Sequence, residues 1–235
     1  MNRRCGLIAA LDTTDLRQAQ AWARSVAASC GMVKLGLEFF LANGAAGYRA
    51  AGAAPVFLDL KLHDIPNTVA GAVRAVLPLR PRMLTLHAAG GAAMLAAARK
   101  AAEQAGAERP LLLAVTVLTS LDATALSETG VAGLPRQQVL RLARLAMAAG
   151  ADGLVCSPRE ISVIRDALGE APVLVEPGIR PAGAVADDQA RTLTPRAAAR
   201  AGADWLVVGR PITQAVDPAA AAAAIAAEIA PDMAA

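Results

Sequence analysis

Short apolar runs recur along the chain, separated by longer segments of helical periodicity. Eight such runs stand out: Gly6–Leu11, Met32–Leu37, Val56–Leu60, Met83–His87, Leu111–Leu118, Gly153–Cys156, Val173–Val175 and Trp205–Val208. They are continuous rather than alternating, the pattern of strands covered on both faces in a parallel sheet. Between them, Asp15–Ala28, Asn67–Leu77, Ala92–Ala105 and Pro135–Ala149 repeat apolar residues at helical spacing, and Gly31, Gly106, Gly150 and Gly202 stand where C-terminal caps are expected. Strand followed by helix, repeated through the whole chain, predicts a closed parallel (β/α)8 TIM barrel of the α/β class. An open doubly wound sheet is the competing arrangement, but no GxGxxG turn follows the first run. No linker, charge block or low-complexity tract divides residues 1–235, which predicts a single catalytic domain, with the alanine-rich stretch Ala219–Ala227 as its last helix.

Composition narrows the partners. Hydrophobic residues make up 55% of the chain, ample for a large core, and aromatics only 3%. The net charge of +3 is spread without a Lys/Arg run, so nucleic acid is not expected as a partner, whereas a small anionic substrate is compatible. The three cysteines, Cys5, Cys30 and Cys156, are odd in number and form no CxxC pair. Free thiols in a cytoplasmic protein are expected, with neither a disulfide framework nor a zinc site. The N-terminal apolar run is too short to span a bilayer and is interrupted by Asp12, so neither a membrane anchor nor a signal peptide is expected.

Barrels of this type carry their chemistry at the C-terminal ends of the strands. Polar residues at those positions are Asp12 after the first run, Lys34 in the second, Asp59 and Lys61 in the third, His87 in the fourth, Thr119 and Ser120 after the fifth, Glu176 and Arg180 after the seventh, and Gly209-Arg210 after the eighth. Alternation along a strand puts Asp59 and Lys61 on one face, toward the barrel mouth, and Leu58, Leu60 and Leu62 on the other, toward the helices. Lys34 on the neighbouring strand joins them, and Asp64 lies beyond the strand in a loop. A buried structural ion-pair network would explain one such pair. Charges gathered at the catalytic end are costly to desolvate and point instead to a functional array. Ammonium groups flanked by carboxylates stay protonated when desolvated, so the array holds a proton donor in a fixed place.

The loops after strands seven and eight commonly bind phosphate in barrels. Glycine bares backbone N–H groups and Arg210 offers a two-pronged cation. The long segment Glu176–Arg191, with Pro177, Gly178, Pro181, Gly183 and Gln189, reads as a lid over that phosphate. Thr119 and Ser120 are either capping residues or hydrogen-bonding partners of a polar ring. His63 and His87 have no carboxylate or HExxH partner in sequence and read as packing or supporting residues.

The segment Phe57-Leu58-Asp59-Leu60-Lys61-Leu62-His63-Asp64-Ile65-Pro66-Asn67-Thr68 resembles the signature of the orotidine 5′-phosphate decarboxylases. The resemblance runs from Ala10-Leu11-Asp12 through Val33-Lys34-Leu35-Gly36, Ala114–Ser120 and Pro177–Pro181 to Val208–Gln214. The Asp-x-Lys-x-x-Asp core is shared with hexulose-phosphate synthases, but His63–Thr68 together with Pro177–Pro181 is specific. The resemblance implies conversion of orotidine 5′-phosphate to UMP, the last step of de novo pyrimidine synthesis, by a homodimer without metal or organic cofactor. It implies that Lys61 protonates C6, that Asp59 faces the substrate carboxylate, that Lys34 holds Asp59 and the ribose, and that Asp12 binds a ribose hydroxyl. Asp64, Ile65 and Thr68 are implied to reach the partner subunit's site, Thr119 to touch the pyrimidine, and Arg180, Gln189, Gly209 and Arg210 to line the phosphate side. One departure is Glu176, where a small or neutral residue is expected; it should point away from the phosphate or pair with an arginine.

Two other functions remain open at this point. A metal-dependent sugar-phosphate synthase or decarboxylase on the same barrel would use the acidic residues as Mg²⁺ ligands, which Lys34 would oppose. A non-catalytic sensor of a phosphorylated ligand would not need the Asp59/Lys61/Asp64 set.

Overall fold

The computed structural model of the chain describes residues 5–52, 55–181 and 193–230. Eight parallel strands close into a barrel in sequence order. They are β1 (Gly6–Ala10), β2 (Met32–Gly36), β3 (Val56–Leu62), β4 (Met83–His87), β5 (Leu111–Val115), β6 (Gly153–Val155), β7 (Val173–Glu176) and β8 (Trp205–Val208). The ring closes where Gly6, Leu7, Ile8 and Ala9 pair with Trp205, Leu206, Val207 and Val208. All eight predicted strands are present. β5 stops at Val115, short of the predicted Leu118, and β3 runs on to Leu62, past the predicted Leu60.

The continuous apolar runs follow from a chain that faces two cores. One alternate set of side chains, including Ile8, Ala10, Met32, Phe57, Met83, Leu113, Val115, Val155, Val175 and Val207, fills the barrel. The other set, including Leu7, Ala9, Val33, Leu35, Leu58, Leu84, Leu86, Leu112 and Leu206, packs against the helices. Both faces are dry, so both alternating sets are apolar. The lower end of the barrel is plugged by Trp205. Its indole ring occupies the space that a Cβ on Gly6 would need, so only glycine fits there.

The helices begin and end by local chemistry. Asp15 caps Leu16–Val26 by accepting from the N–H groups of Arg17 at 2.8 Å and Gln18 at 3.3 Å. Ala19, Ala23 and Val26 form that helix's buried stripe, and small side chains there let it lie close on the sheet. Asp217, with Pro218 in the first turn, starts the last helix, Pro218–Ile229. Gly150 and Gly202, with φ of 94° and 105°, end helical segments as predicted. Gly31 does not: the preceding helix ends at Val26, with Ala27 as its C-cap, and the Gly31 N–H bonds Leu7 O at 3.0 Å at the entry to β2.

Two half-buried carboxylates tie the strand starts together, away from the mouth. Asp152 accepts from Arg99 Nη1 at 3.0 Å, from Arg109 Nη1 at 2.7 Å and from Leu112 N at 2.8 Å. Asp204 accepts from Arg165 Nη2 and Leu174 N, each at 2.8 Å. Burial opposes ionisation of Asp152, but the hydrogen bond and charge of Arg109 outweigh it and hold the carboxyl below its ordinary pKa.

Candidate active site

At the opposite end, the strand termini surround a cavity of about 250 Å³. Its walls include Asp12, Lys34, Asp59, Lys61, Thr119, Arg180, Gly209 and Arg210, together with apolar Ala10, Phe57, Val115, Val117, Leu118, Val155 and Val207. The mixture of an apolar floor and a few convergent charged groups is what a small polar ligand requires.

The charged side forms one chain of contacts. Lys34 Nζ lies 3.0 Å from Asp12 Oδ1 and 3.5 Å from Asp59 Oδ2. Lys61 Nζ donates to both Asp59 oxygens at 2.9 Å. Burial by itself would push Lys34 toward its neutral form, but the charges of Asp59 and Asp12 override it and raise its pKa above the ordinary lysine value. For Asp59 burial again acts first, against ionisation; Lys34, Lys61 and hydrogen bonds from Lys61 and Thr85 reverse the outcome and hold it below the ordinary carboxylate value. The set is therefore an alternation of ammonium and carboxylate side chains, in which the neighbours hold Lys34 and Asp59 in their charged forms.

Simple strand alternation predicts that Asp59 and Lys61 share the inner face, and they do, but the route is not a regular strand. From Leu58 to Leu62, four steps of β3 span only the two steps from Leu84 to Leu86 of β4. The surplus is two residues, so parity is preserved and Leu58, Leu60 and Leu62 still face the helices. The bulge puts Lys61 at a φ of 48°, in the left-handed region that a lysine rarely occupies. Thr85, fully buried on β4, stabilises this turn: its Oγ1 accepts from Lys61 N at 2.8 Å and donates to Asp59 Oδ1 at 2.9 Å.

Thr85 is one of two residues of the charged wall that the sequence reading missed. Only pairing partners across β3 and β4 reveal it. The other is Gly36, on the same face as Lys34. A Cβ there would stand 3.0 Å from Lys34 Nζ and 3.1 Å from Asp12 Oδ1, in the space the ion pair occupies. Its signal was in the sequence, as a glycine two residues beyond a strand lysine.

The remaining predicted residues divide into groups. Thr119 lines the cavity, whereas Ser120 is exposed and does not. Arg180 and Arg210 line the wall opposite the β3 charges, with Pro177, Gly178 and Gly209 beside them. The base of the β7 loop is closed by a parallel bridge between Ile179 and Leu193, where Arg180 N donates to Leu193 O at 3.0 Å. Gln189, and the predicted lid from residue 182 to 191, lie outside the described residues. Asp64, Ile65 and Thr68 do not line this cavity; all three are exposed beside its mouth, Ile65 at 67%. Asp64 Oδ1 accepts from Ile65 N at 2.7 Å.

His63 and His87 stack on each other, with centroids 5.0 Å apart and an interplanar angle of 13°. His87 fits the supporting role expected of it: half-buried, it accepts from Ala89 N at 3.3 Å. Burial, then the charges of His63 and Lys61, hold its pKa below the ordinary histidine value. His63 is exposed, and its packing contact is the stack on His87.

Glu176 points away from the cavity, one of its two expected orientations. On β7 it follows Leu174, which faces the helices, not Val175, which faces the barrel. Its Oε1 accepts from the Cys156 thiol at 3.1 Å, and its Oε2 has no hydrogen-bond partner among the described residues. Burial, reinforced by the nearby charges of Glu160 and Asp204, pushes its pKa well above the ordinary value. The site-facing loop is thus spared a carboxylate because Glu176 sits on the outward parity of β7.

Among the described residues, no cluster of three or more His, Cys, Asp or Glu side chains is arranged to hold a metal ion, and no helix is long and apolar enough to cross a membrane.

Comparison with known proteins agrees with the geometry. Residues 6–225 match the model of the orotidine 5′-phosphate decarboxylase / HUMPS family. The chain is 56% identical over 234 residues to the orotidine 5′-phosphate decarboxylase of Gluconobacter oxydans, covering 98% of this chain and 99% of that one. It is 54% identical over 227 residues to the same-named protein of Rhodospirillum rubrum, covering 94% of this chain and 92% of that one. The crystal structure of orotidine 5′-phosphate decarboxylase from Lactobacillus acidophilus superposes with a TM-score of 0.86 at 36% identity, covering 97% of this chain and 100% of the other. A barrel with an alternating Lys–Asp–Lys array at its mouth, matched over nearly its whole length by these relatives, belongs to the orotidine 5′-phosphate decarboxylase / HUMPS family.

Proposed function

We propose that this protein decarboxylates orotidine 5′-phosphate to UMP, with Lys61 as the proton donor to C6. The observation that carries the reading is the Lys34–Asp59–Lys61 array on one wall of a cavity whose other wall offers Arg180, Gly209 and Arg210. Loss of CO₂ from C6 leaves an electron pair in the ring plane, where the ring carbonyls cannot delocalise it. A site for this reaction must place positive charge next to that carbon, and must do so before the bond breaks. The Lys61 ammonium is such a charge, held from below by both Asp59 oxygens. The proton then moves from Lys61 Nζ to C6, and CO₂ leaves with its oxygens and without the bonding pair.

The other roles are those that the resemblance to the family implies. Asp59 faces the departing carboxylate. Lys34, bridged to Asp12, holds Asp59 on one side and a ribose hydroxyl on the other, and Asp12 accepts from a ribose hydroxyl. Thr119 meets the pyrimidine edge. Arg180, Gln189, Gly209 and Arg210 take the phosphate, whose distance from the scissile bond lets its binding energy go into closing the site. Asp64, Ile65 and Thr68 serve the partner's site in a homodimer; the exposure of an isoleucine next to Asp64 supports this. In the same reading the enzyme is cytoplasmic and completes pyrimidine nucleotide synthesis.

This function is favoured over a metal-dependent synthase because two ammonium groups stand where a cation would bind, and over a ligand sensor because the relatives named as decarboxylases match nearly end to end. The test is turnover of orotidine 5′-phosphate, followed by its absorbance change, before and after dialysis against EDTA. Full activity in both is expected. Activity that vanished with EDTA and returned with Mg²⁺ would replace this reading with the metal-dependent one.

A further inference from the structure

The interior of the barrel is apolar where Thr85 sits. Its neighbours along the same inward face include Met83 on its own strand, Phe57 on β3 and Leu113 on β5. Valine has nearly the same shape as threonine and would fill the space without needing a hydrogen-bond partner. The hydroxyl is there nonetheless, fully buried, and both its capacities are used. The direction of each bond is fixed by chemistry. A carboxylate can only accept, so the Thr85 proton points to Asp59 Oδ1, at 2.9 Å. A backbone N–H can only donate, so the oxygen accepts from Lys61 N, at 2.8 Å.

These two partners are the carboxylate that holds the Lys61 ammonium and the backbone from which that ammonium is presented. The β3 bulge breaks the ladder to β4 between Leu58 and Leu62, and within that break Lys61 N donates to the Thr85 hydroxyl. One side chain therefore fixes the root of Lys61, at its unusual φ of 48°, and the rotation of the Asp59 carboxylate that grips its tip.

We infer that Thr85 is a positioning residue for the decarboxylation: it acts through Lys61 and Asp59, without contact to the substrate, to aim the ammonium at the reacting carbon. It does not line the cavity, so its loss should affect the chemical step and not the binding of the phosphate or ring. This inference rests on the decarboxylase reading above.

The experiment compares wild type, Thr85→Val and Thr85→Ser in steady-state turnover of orotidine 5′-phosphate, with UMP binding and circular dichroism on each. Thr85→Val should lower kcat by about 10- to 100-fold, the range that a misplacement near 1 Å produces. KM and UMP affinity should stay within about threefold. Thr85→Ser keeps both hydrogen bonds and should restore kcat to within about threefold of wild type. If Thr85→Val fails to fold, Thr85→Cys, which keeps the volume and weakens both bonds, carries the same expectation of a kcat loss without a KM loss. The inference is overturned if a folded valine or cysteine variant keeps wild-type kcat, if KM and kcat worsen together, or if serine is as damaging as valine. A wild-type protein that does not turn over orotidine 5′-phosphate overturns the decarboxylase reading itself, a separate result visible before any variant is made.

Discussion

At the scale of single residues, what distinguishes this site is that charge is stabilised by charge. Lys34 and Asp59 are both buried enough for the loss of solvation to favour their neutral forms, and both are held ionised by their neighbours. Such an array is worth little to folding, because desolvation offsets most of the attraction; its value is that an ammonium is fixed in place before the substrate arrives. Lys61→Ala is accordingly expected to fold normally and to lose on the order of 10³-fold in kcat, the loss expected of a principal transition-state donor. Activity within tenfold of wild type would show that another group delivers the proton. The identities of these residues were plain in the sequence, because Lys and Asp at alternate strand positions have few other uses. Thr85 was not, since a threonine in a strand is unremarkable until the residue opposite it is known.

At the scale of elements, parity decides what each strand offers the site. β3 gains two residues in its bulge and so keeps Asp59 and Lys61 on one face; one extra residue would have sent Lys61 toward the helices. β7 shows the complementary case. Glu176 is adjacent to the phosphate-side loop in sequence, but its parity buries it behind the sheet against Cys156. Its folded pKa is raised above that of the unfolded chain, so the folded state binds the extra proton. Stability from this group is greatest below the unfolded value of about 4.3 and declines as pH rises toward the folded one, by about 1.4 kcal/mol per unit. Glu176→Gln removes the titration. It should raise the melting temperature at pH 8 by more than at pH 5, and leave kcat within about twofold. An equal effect at both pH values would mean that the folded and unfolded pKa values do not differ as the burial requires. The chain order Val-Glu-Pro-Gly could not reveal this orientation by itself, because the end of β7 was predicted one residue early.

At the scale of the whole molecule, the division of labour between the barrel ends is complete. Arginine–carboxylate pairs around Asp152 and Asp204 fasten the strand starts, and the Lys–Asp array and the arginines Arg180 and Arg210 face the cavity at the strand ends. The exposed segment of Asp64, Ile65 and Thr68 belongs to neither; in the proposed homodimer it completes the partner's site. Two-fold symmetry makes that exchange reciprocal. Lys61→Ala and Asp64→Ala homodimers should each be nearly inactive. After subunit exchange about half the dimers are mixed, and in each of these one site regains native Lys61 and native Asp64, so about a quarter of all sites should recover. Heterodimers that form and remain as inactive as their parents would show that Asp64 serves its own subunit.

By itself the sequence determined the strand order, the closed barrel and the charged residues at its mouth. Doubly buried strands must be apolar throughout, so the few charged side chains within them stand out, and helix caps are local chemistry. The tertiary structure decided what depends on neighbours distant in the chain. It set the bulge register of β3 against β4, the clasp of Thr85 on Lys61 and Asp59, the empty space that Gly36 leaves for the Lys34–Asp12 pair, and the outward face of Glu176. Each is a matter of which strand lies beside which, and of how many residues separate their paired positions. Those relations exist only once the barrel has closed.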